Sequence, residues 1–151
     1  MSKIVIGIDP DAKAHGVSVY YGERLDSLNS MTLMEIYNFI DLDLLTLVTE
    51  TGWDIEAHIE DVCAMNAVFK QRQTKNNAVN MKMSNSVGKC QQSQIELERL
   101  FEYYGIKVAK HKISKMWKKD KAQFEKITGW TGRSNEDTRS AAYFGYLGTK
   151  A

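Results

Sequence analysis

The sequence predicts an α/β fold, a mixed five-stranded sheet with helices on both faces. Three short extended segments come first, joined by turns of hairpin length, and they read as an antiparallel meander. Two later apolar strands alternate with helical stretches, the pattern that builds parallel pairs. No self-similarity recurs at a period of 20–50 residues, so repeat architectures are set aside.

Lys3 to Asp9 (KIVIGID) is short, β-branched and apolar, the signature of a strand buried on both sides. His15 to Tyr21 (HGVSVYY) follows a brief turn, and Gly22-Glu23 leads into a third strand over Arg24–Met31. Thr32-Leu33-Met34-Glu35 is a capping box opening a helix that runs to about Glu50, closed by Gly52. Asp54 to Val62 reads as a core strand, with Ile55, Ala57 and Ile59 alternating against Glu56, His58 and Glu60. From Lys70 to about Asn85 the chain is polar and without pattern. A long helix is expected from Ser86 to Tyr104, stopped by Gly105. Ile106 to Ile113 makes the fifth strand, Ser114 is expected to cap a lysine-rich helix ending near Gly129, and Ser134 to cap a last helix from Asn135 to about Leu147.

With 151 residues, 43% hydrophobic and 26% charged, residues 1–151 suit one domain with one core. No apolar run reaches the length of a membrane span. The start runs directly into a strand pattern rather than a signal peptide. Cys63 and Cys90 stand in neither C-x-x-C nor zinc spacing, so a reducing, cytoplasmic setting is the expectation. His15, His58 and His111 share no ligand spacing either. The net charge of +1 conceals a division: residues 1–61 hold 12 acids against 3 bases, residues 62–151 hold 7 against 17. A basic half suits a polyanion and an acidic half a divalent cation, although halves of a sequence need not be halves of a surface.

Three acidic positions stand out by placement. Asp9 closes the first strand, Glu60 and Asp61 end the second core strand, and Glu136 and Asp137 lie in the first turn of the last helix. Singly, each has a common structural explanation: a turn residue before Pro10, a solvent-facing strand Glu, a helix cap and a dipole partner. Together they can converge at one sheet edge. Clustered carboxylates repel and their pKa values rise unless a cation compensates. Mg²⁺ supplies that compensation with all-oxygen ligands, and Mn²⁺ can substitute.

The order of these motifs carries a family resemblance. Ile6-Gly7-Ile8-Asp9-Pro10, followed by Gly16-Val17-Ser18-Val19, resembles the opening of RuvC-type Holliday junction resolvases, members of the RNase H-like superfamily. Ala57 to Val62 (AHIEDV) is similar to that family's second motif, Ser86-Val87-Gly88 falls where its long helix starts, and Asp137 with Ser140-Ala141-Ala142 resembles its last motif. The resemblance covers nearly the whole chain, through short motifs, and the chain's size is like that of phage-type members. It implies an RNase H-like fold, Asp9, Glu60 and Asp137 as catalytic metal ligands, and Mg²⁺-dependent, two-metal hydrolysis of phosphodiesters in four-way junctions or other branched DNA by a homodimer. One feature departs from the family, whose last helix carries two acids three residues apart. Glu136 and Asp137 are adjacent, roughly 100° apart around a helix. Asp137 shares a face with Ala141, Phe144, Gly145 and Gly148 and is the favoured ligand, with Glu136 the alternative or a fourth carboxylate.

Eight lysines lie between Lys107 and Lys126, among them Lys112, Lys118 and Lys119. With Lys82 and Lys89 they form the expected phosphate-contacting set, although lysines are also common on solvated helix faces. The resemblance implies that Lys115 sits near the scissile phosphate. It also points to Phe69, beside Lys70, Arg72 and Lys75, as an aromatic wedge for branched DNA, although a single Phe is more often core. Ile95, Leu97, Leu100 and Phe101 are positions from which a dimer interface could be built. The competing reading is a catalytically weak branched-DNA-binding module of the same fold, kept open by the adjacent Glu136 and Asp137.

Overall fold

The computed structural model describes residues 2–65 and 76–151. Strands β1 (Lys3–Asp9), β2 (His15–Tyr21) and β3 (Arg24–Met31) form the antiparallel meander. β1 also pairs in parallel with β4 (Asp54–Glu60), and β4 with β5 (Lys107–His111), giving the order β3-β2-β1-β4-β5. β1 is the central strand, covered on both faces, which is why it reads as an almost unbroken apolar run.

Between β3 and β4 the chain makes one helical run: α1 (Leu33–Asn38), a π-helical segment (Phe39–Leu44) and α2 (Leu45–Thr51). The Thr32–Glu35 capping box is formed in both directions, at 3.2 and 3.1 Å. Gly52 ends the run in the left-handed region, at φ 73°. A long helix α3 (Asn77–Tyr103) precedes β5, and α4 (Lys121–Thr128) and α5 (Glu136–Thr149) follow it.

Side-chain alternation along the strands divides the core. Ile4, Ile6 and Ile8 of β1, with Val17, Val19, Ala57 and Ile59, meet Ile36, Ile40 and Leu44 of the helical run and Leu97 and Phe101 of α3. On the other face Val5, Tyr20 and Leu25 meet Trp117, Phe124 and Ala142. α5 lies very close to the sheet there. A Cβ on Gly7 would stand 2.2 Å from the Ala141 carbonyl oxygen, and one on Gly16 would stand 2.3 Å from that of Asp137. Only glycine permits that approach.

Three helix starts differ from expectation. α3 begins nine residues before Ser86, capped by the Asn76 side chain, which accepts from the Val79 N–H at 3.2 Å. Its buried residues, Gln94, Leu97 and Phe101, all lie in the second half, so burial among the described residues does not mark where the helix begins. Ser114 accepts from the Met116 N–H in a local turn, and helix resumes only at Lys121 under an Asp120 cap. Trp117, with φ 67°, breaks any helix between them. The cap of α5 is Asn135, which exchanges hydrogen bonds with Thr138 at 2.9 Å each. Leu97 and Phe101 are fully buried in the core and thus not free to form an interface, whereas Ile95 is partly exposed. No helix among the described residues is long and apolar enough to cross a membrane.

Candidate active site

Strand alternation puts Asp9 and Glu60 on the face covered by α5, at the ends of neighbouring parallel strands whose register runs up to Ile8 opposite Ile59. Asp9 is also paired with Gly16 across β1 and β2. Because Gly16 lies against the Asp137 backbone, the first turn of α5 is brought to the same edge. Asp9, Glu60 and Asp137 therefore line one cleft of about 310 Å³, with Pro10, Asp11, Val62 and Lys118, and with Ser86, Val87 and Cys90 of α3 as one wall.

The electrostatics of this cleft are unbalanced. Asp9 and Glu60 are 6% and 5% exposed. Asp9 Oδ2 and Glu60 Oε2 are buried without a hydrogen bond, as is the Ser140 hydroxyl. Burial raises the pKa of Asp9, an effect opposed by Lys118 and reinforced by Asp137. Burial and then repulsion from Asp9 push Glu60 up to about 7. The Lys118 ammonium lies 3.3 Å from Asp9 Oδ2, close enough to ion-pair. Partial burial disfavours that ammonium, but Asp9 and Glu60 more than offset it and its pKa is raised.

These residues fit a hard divalent cation. The donors are carboxylate oxygens, two of them buried without a hydrogen bond and one of these ion-paired to Lys118, and their mutual repulsion is what such an ion would relieve. Among the described residues no group of three or more His, Cys, Asp or Glu side chains is already arranged to hold a metal ion. An open, carboxylate-lined cleft suits Mg²⁺, which keeps several waters.

The other sequence-derived positions fall in different places. Glu136 is exposed and ion-paired with Lys119, whose hydrogen bond lowers its pKa; it does not line the cleft. Lys115 is exposed and also outside the cleft, whereas Lys118 lines it. Lys82 and Lys89 are exposed on α3, and Lys112 and Lys119 are exposed beyond β5. Phe69, Lys70, Arg72 and Lys75 lie outside the described residues. His58 and His111, far apart in sequence, meet across β4 and β5, with His58 Nδ1 2.8 Å from His111 Nε2 and His58 Nε2 3.0 Å from Glu56 Oε1.

The sequence did not reveal the residues that hold the site in place. Gln94, fully buried, accepts from the Cys63 N–H at 2.9 Å and donates to Asp61 Oδ1 at 3.0 Å, fixing the chain just after Glu60. Arg139 donates to the carbonyls of Trp117 at 3.0 Å and Lys118 at 2.6 Å, and to Ser134 Oγ at 3.1 Å. It thereby holds a turn whose left-handed Trp117 costs about 1–3 kcal/mol. A glutamine or arginine inside a polar helix carries no sequence signal for such a role.

No protein-family model matches the chain, and no curated protein sequence matches it significantly. Among solved structures, Thermus thermophilus RuvC in complex with a Holliday junction substrate is similar, at TM-score 0.51 and 14% identity over 95% of this chain and 90% of that one. A second Thermus thermophilus RuvC structure matches at TM-score 0.49 and 14% identity, over 95% and 91% of the two chains. The fold is thus RNase H-like, with the mixed five-stranded sheet and helices of RuvC.

Proposed function

We propose that the protein is a Mg²⁺-dependent, structure-selective endodeoxyribonuclease that cuts four-way junctions or other branched DNA. The observation that carries this reading is the convergence of Asp9, Glu60 and Asp137 on one cleft, with buried carboxylate oxygens that lack a hydrogen bond. The likeness to a RuvC bound to a Holliday junction supports the substrate class.

Asp9, Glu60 and Asp137 would hold the ion. When bound, Mg²⁺ neutralises the carboxylates and activates both the phosphodiester and water toward hydrolysis. Lys118, already in the cleft, is placed to stabilise negative charge building on the scissile phosphate, the role that the sequence resemblance gives to Lys115. The exposed Lys82, Lys89, Lys112, Lys115 and Lys119 would contact phosphates, making affinity strongly dependent on salt. Ser140, whose buried hydroxyl has no hydrogen bond, neighbours both Asp9 and Glu60 and acts to lower their pKa values. A homodimer with two sites would permit paired cuts across a junction.

A second reading, a branched-DNA-binding module with weak catalysis, is favoured by Glu136, which turns outward to Lys119 and leaves only Asp9, Glu60 and Asp137 of the expected ligand set in the cleft. Incubation of the protein with a labelled four-way junction and matched duplex, with Mg²⁺, Mn²⁺ or EDTA, separates the two. Metal-dependent nicks confined to the junction support the nuclease. Binding without nicks under either ion supports the module.

A further inference from the structure

We propose that Arg139 is a positioning residue whose task is to aim Lys118 into the cleft. Four observations converge on it. Arg139 is 9% exposed, and its guanidinium spends two of its donors on consecutive carbonyls, those of Trp117 and Lys118. Trp117 holds φ 67°, a conformation that non-glycine residues rarely adopt. Its ring is fixed by Phe124, Tyr143 and Tyr146, with centroids 5.6, 5.4 and 5.3 Å away. Lys118, the next residue, then reaches Asp9 Oδ2 at 3.3 Å.

The anchored ring alone fixes neither backbone torsion of Trp117, so relaxation of its φ toward negative values would reorient the backbone that leads to Lys118. Arg139 removes that freedom because a planar fork holds two carbonyls in one fixed geometry, which the rotatable donors of an ammonium on a flexible stem do not. Arg139 also sits on α5 two residues beyond Asp137, so one helix start fixes both the carboxylate and the lysine opposite it. The clamp stands on geometry alone. Its consequence for catalysis rests on the nuclease reading.

The first test needs neither DNA nor metal. The folded protein is labelled with an amine-acetylating reagent, and the rate at each lysine is read by mass spectrometry. In the parent chain Lys118, whose side chain is 27% exposed, should react several-fold more slowly than Lys119, at 83%. Arg139→Gln should bring Lys118 close to the Lys119 rate while Lys107 and Lys121 keep theirs. Arg139→Lys should give an intermediate rate, and it carries the test alone if Arg139→Gln does not fold. Unchanged protection of Lys118 in a folded Arg139 variant overturns the proposal.

The second readout is junction cutting. Arg139→Gln should lower kcat with junction affinity unchanged, and Arg139→Gln combined with Lys118→Met should be no slower than Lys118→Met alone. Additive losses would show that Arg139 does not act through Lys118. If the parent chain cuts nothing, the nuclease reading fails while the labelling result still decides on the clamp.

Discussion

Replacing Glu60 by Gln should stabilise the metal-free protein at alkaline pH and leave it unchanged in acid. Glu60 is 5% exposed, and burial plus the Asp9 charge move its pKa from 4.5 to about 7. The fold therefore favours the protonated form. Below the unfolded value both states carry the neutral acid and there is no penalty. As pH rises from 4.5 to about 7 the unfolded chain ionises first, and stability falls by about 1.4 kcal/mol per unit. The full effect above pH 7 is at most about 3 kcal/mol, since Lys118 opposes it. Glutamine copies the neutral acid in shape and hydrogen-bonding capacity. Urea unfolding in EDTA at about pH 3.5 and pH 8, below and above both pKa values, should give coincident curves at the first and a higher midpoint for Glu60→Gln at the second. Mg²⁺ should then raise the parent's midpoint and not the variant's, since an ion stabilises only the state that binds it. Equal stability of the two proteins at pH 8, or a weaker variant, would refute the burial argument.

Gly16→Ala should cost about 1–3 kcal/mol and slow cutting, because its Cβ would lie 2.3 Å from the Asp137 carbonyl and push α5 off the edge; thermal melting and junction assays read both. Glu136→Gln should cut like the parent, since its carboxylate faces Lys119 and solvent rather than the cleft; a large loss would make it a ligand after all. Charge neutralisation of Lys112 and Lys119 should reduce the salt slope of junction binding by about one each if both touch phosphate, as read from affinities across a salt series.

The sheet was legible because its strands are short, bounded by turn residues, and either almost wholly apolar, as β1, or alternating, as β4. The capping box at Thr32 worked for a similar reason, being a local motif with reciprocal bonds. Helix starts in polar sequence were not legible. α3 begins at Asn77, in a polar stretch where none of the described residues of its first half is buried. The Lys115–Lys119 segment has a helical composition but is governed by Trp117, whose φ is set by tertiary packing of its ring. Asp9, Glu60 and Asp137 were visible as strand and helix ends. The choice between adjacent Glu136 and Asp137 was limited to face geometry, and the cleft holds Asp137. Lys118 as the cleft lysine, Arg139 and Gln94 depend on contacts between distant segments, and no spacing rule reaches them. The same holds for His58 and His111, which sequence spacing separates and the β4–β5 register joins.

Single-turnover cutting of an end-labelled four-way junction by the parent chain and Asp9→Asn, with binding measured in parallel, tests the central claim most directly. The account predicts metal-dependent nicks by the parent. It predicts equal junction affinity for Asp9→Asn, with a loss of rate beyond the roughly 10–100-fold typical of losing a residue outside the ligand set. Cutting by Asp9→Asn at the parental rate would contradict it.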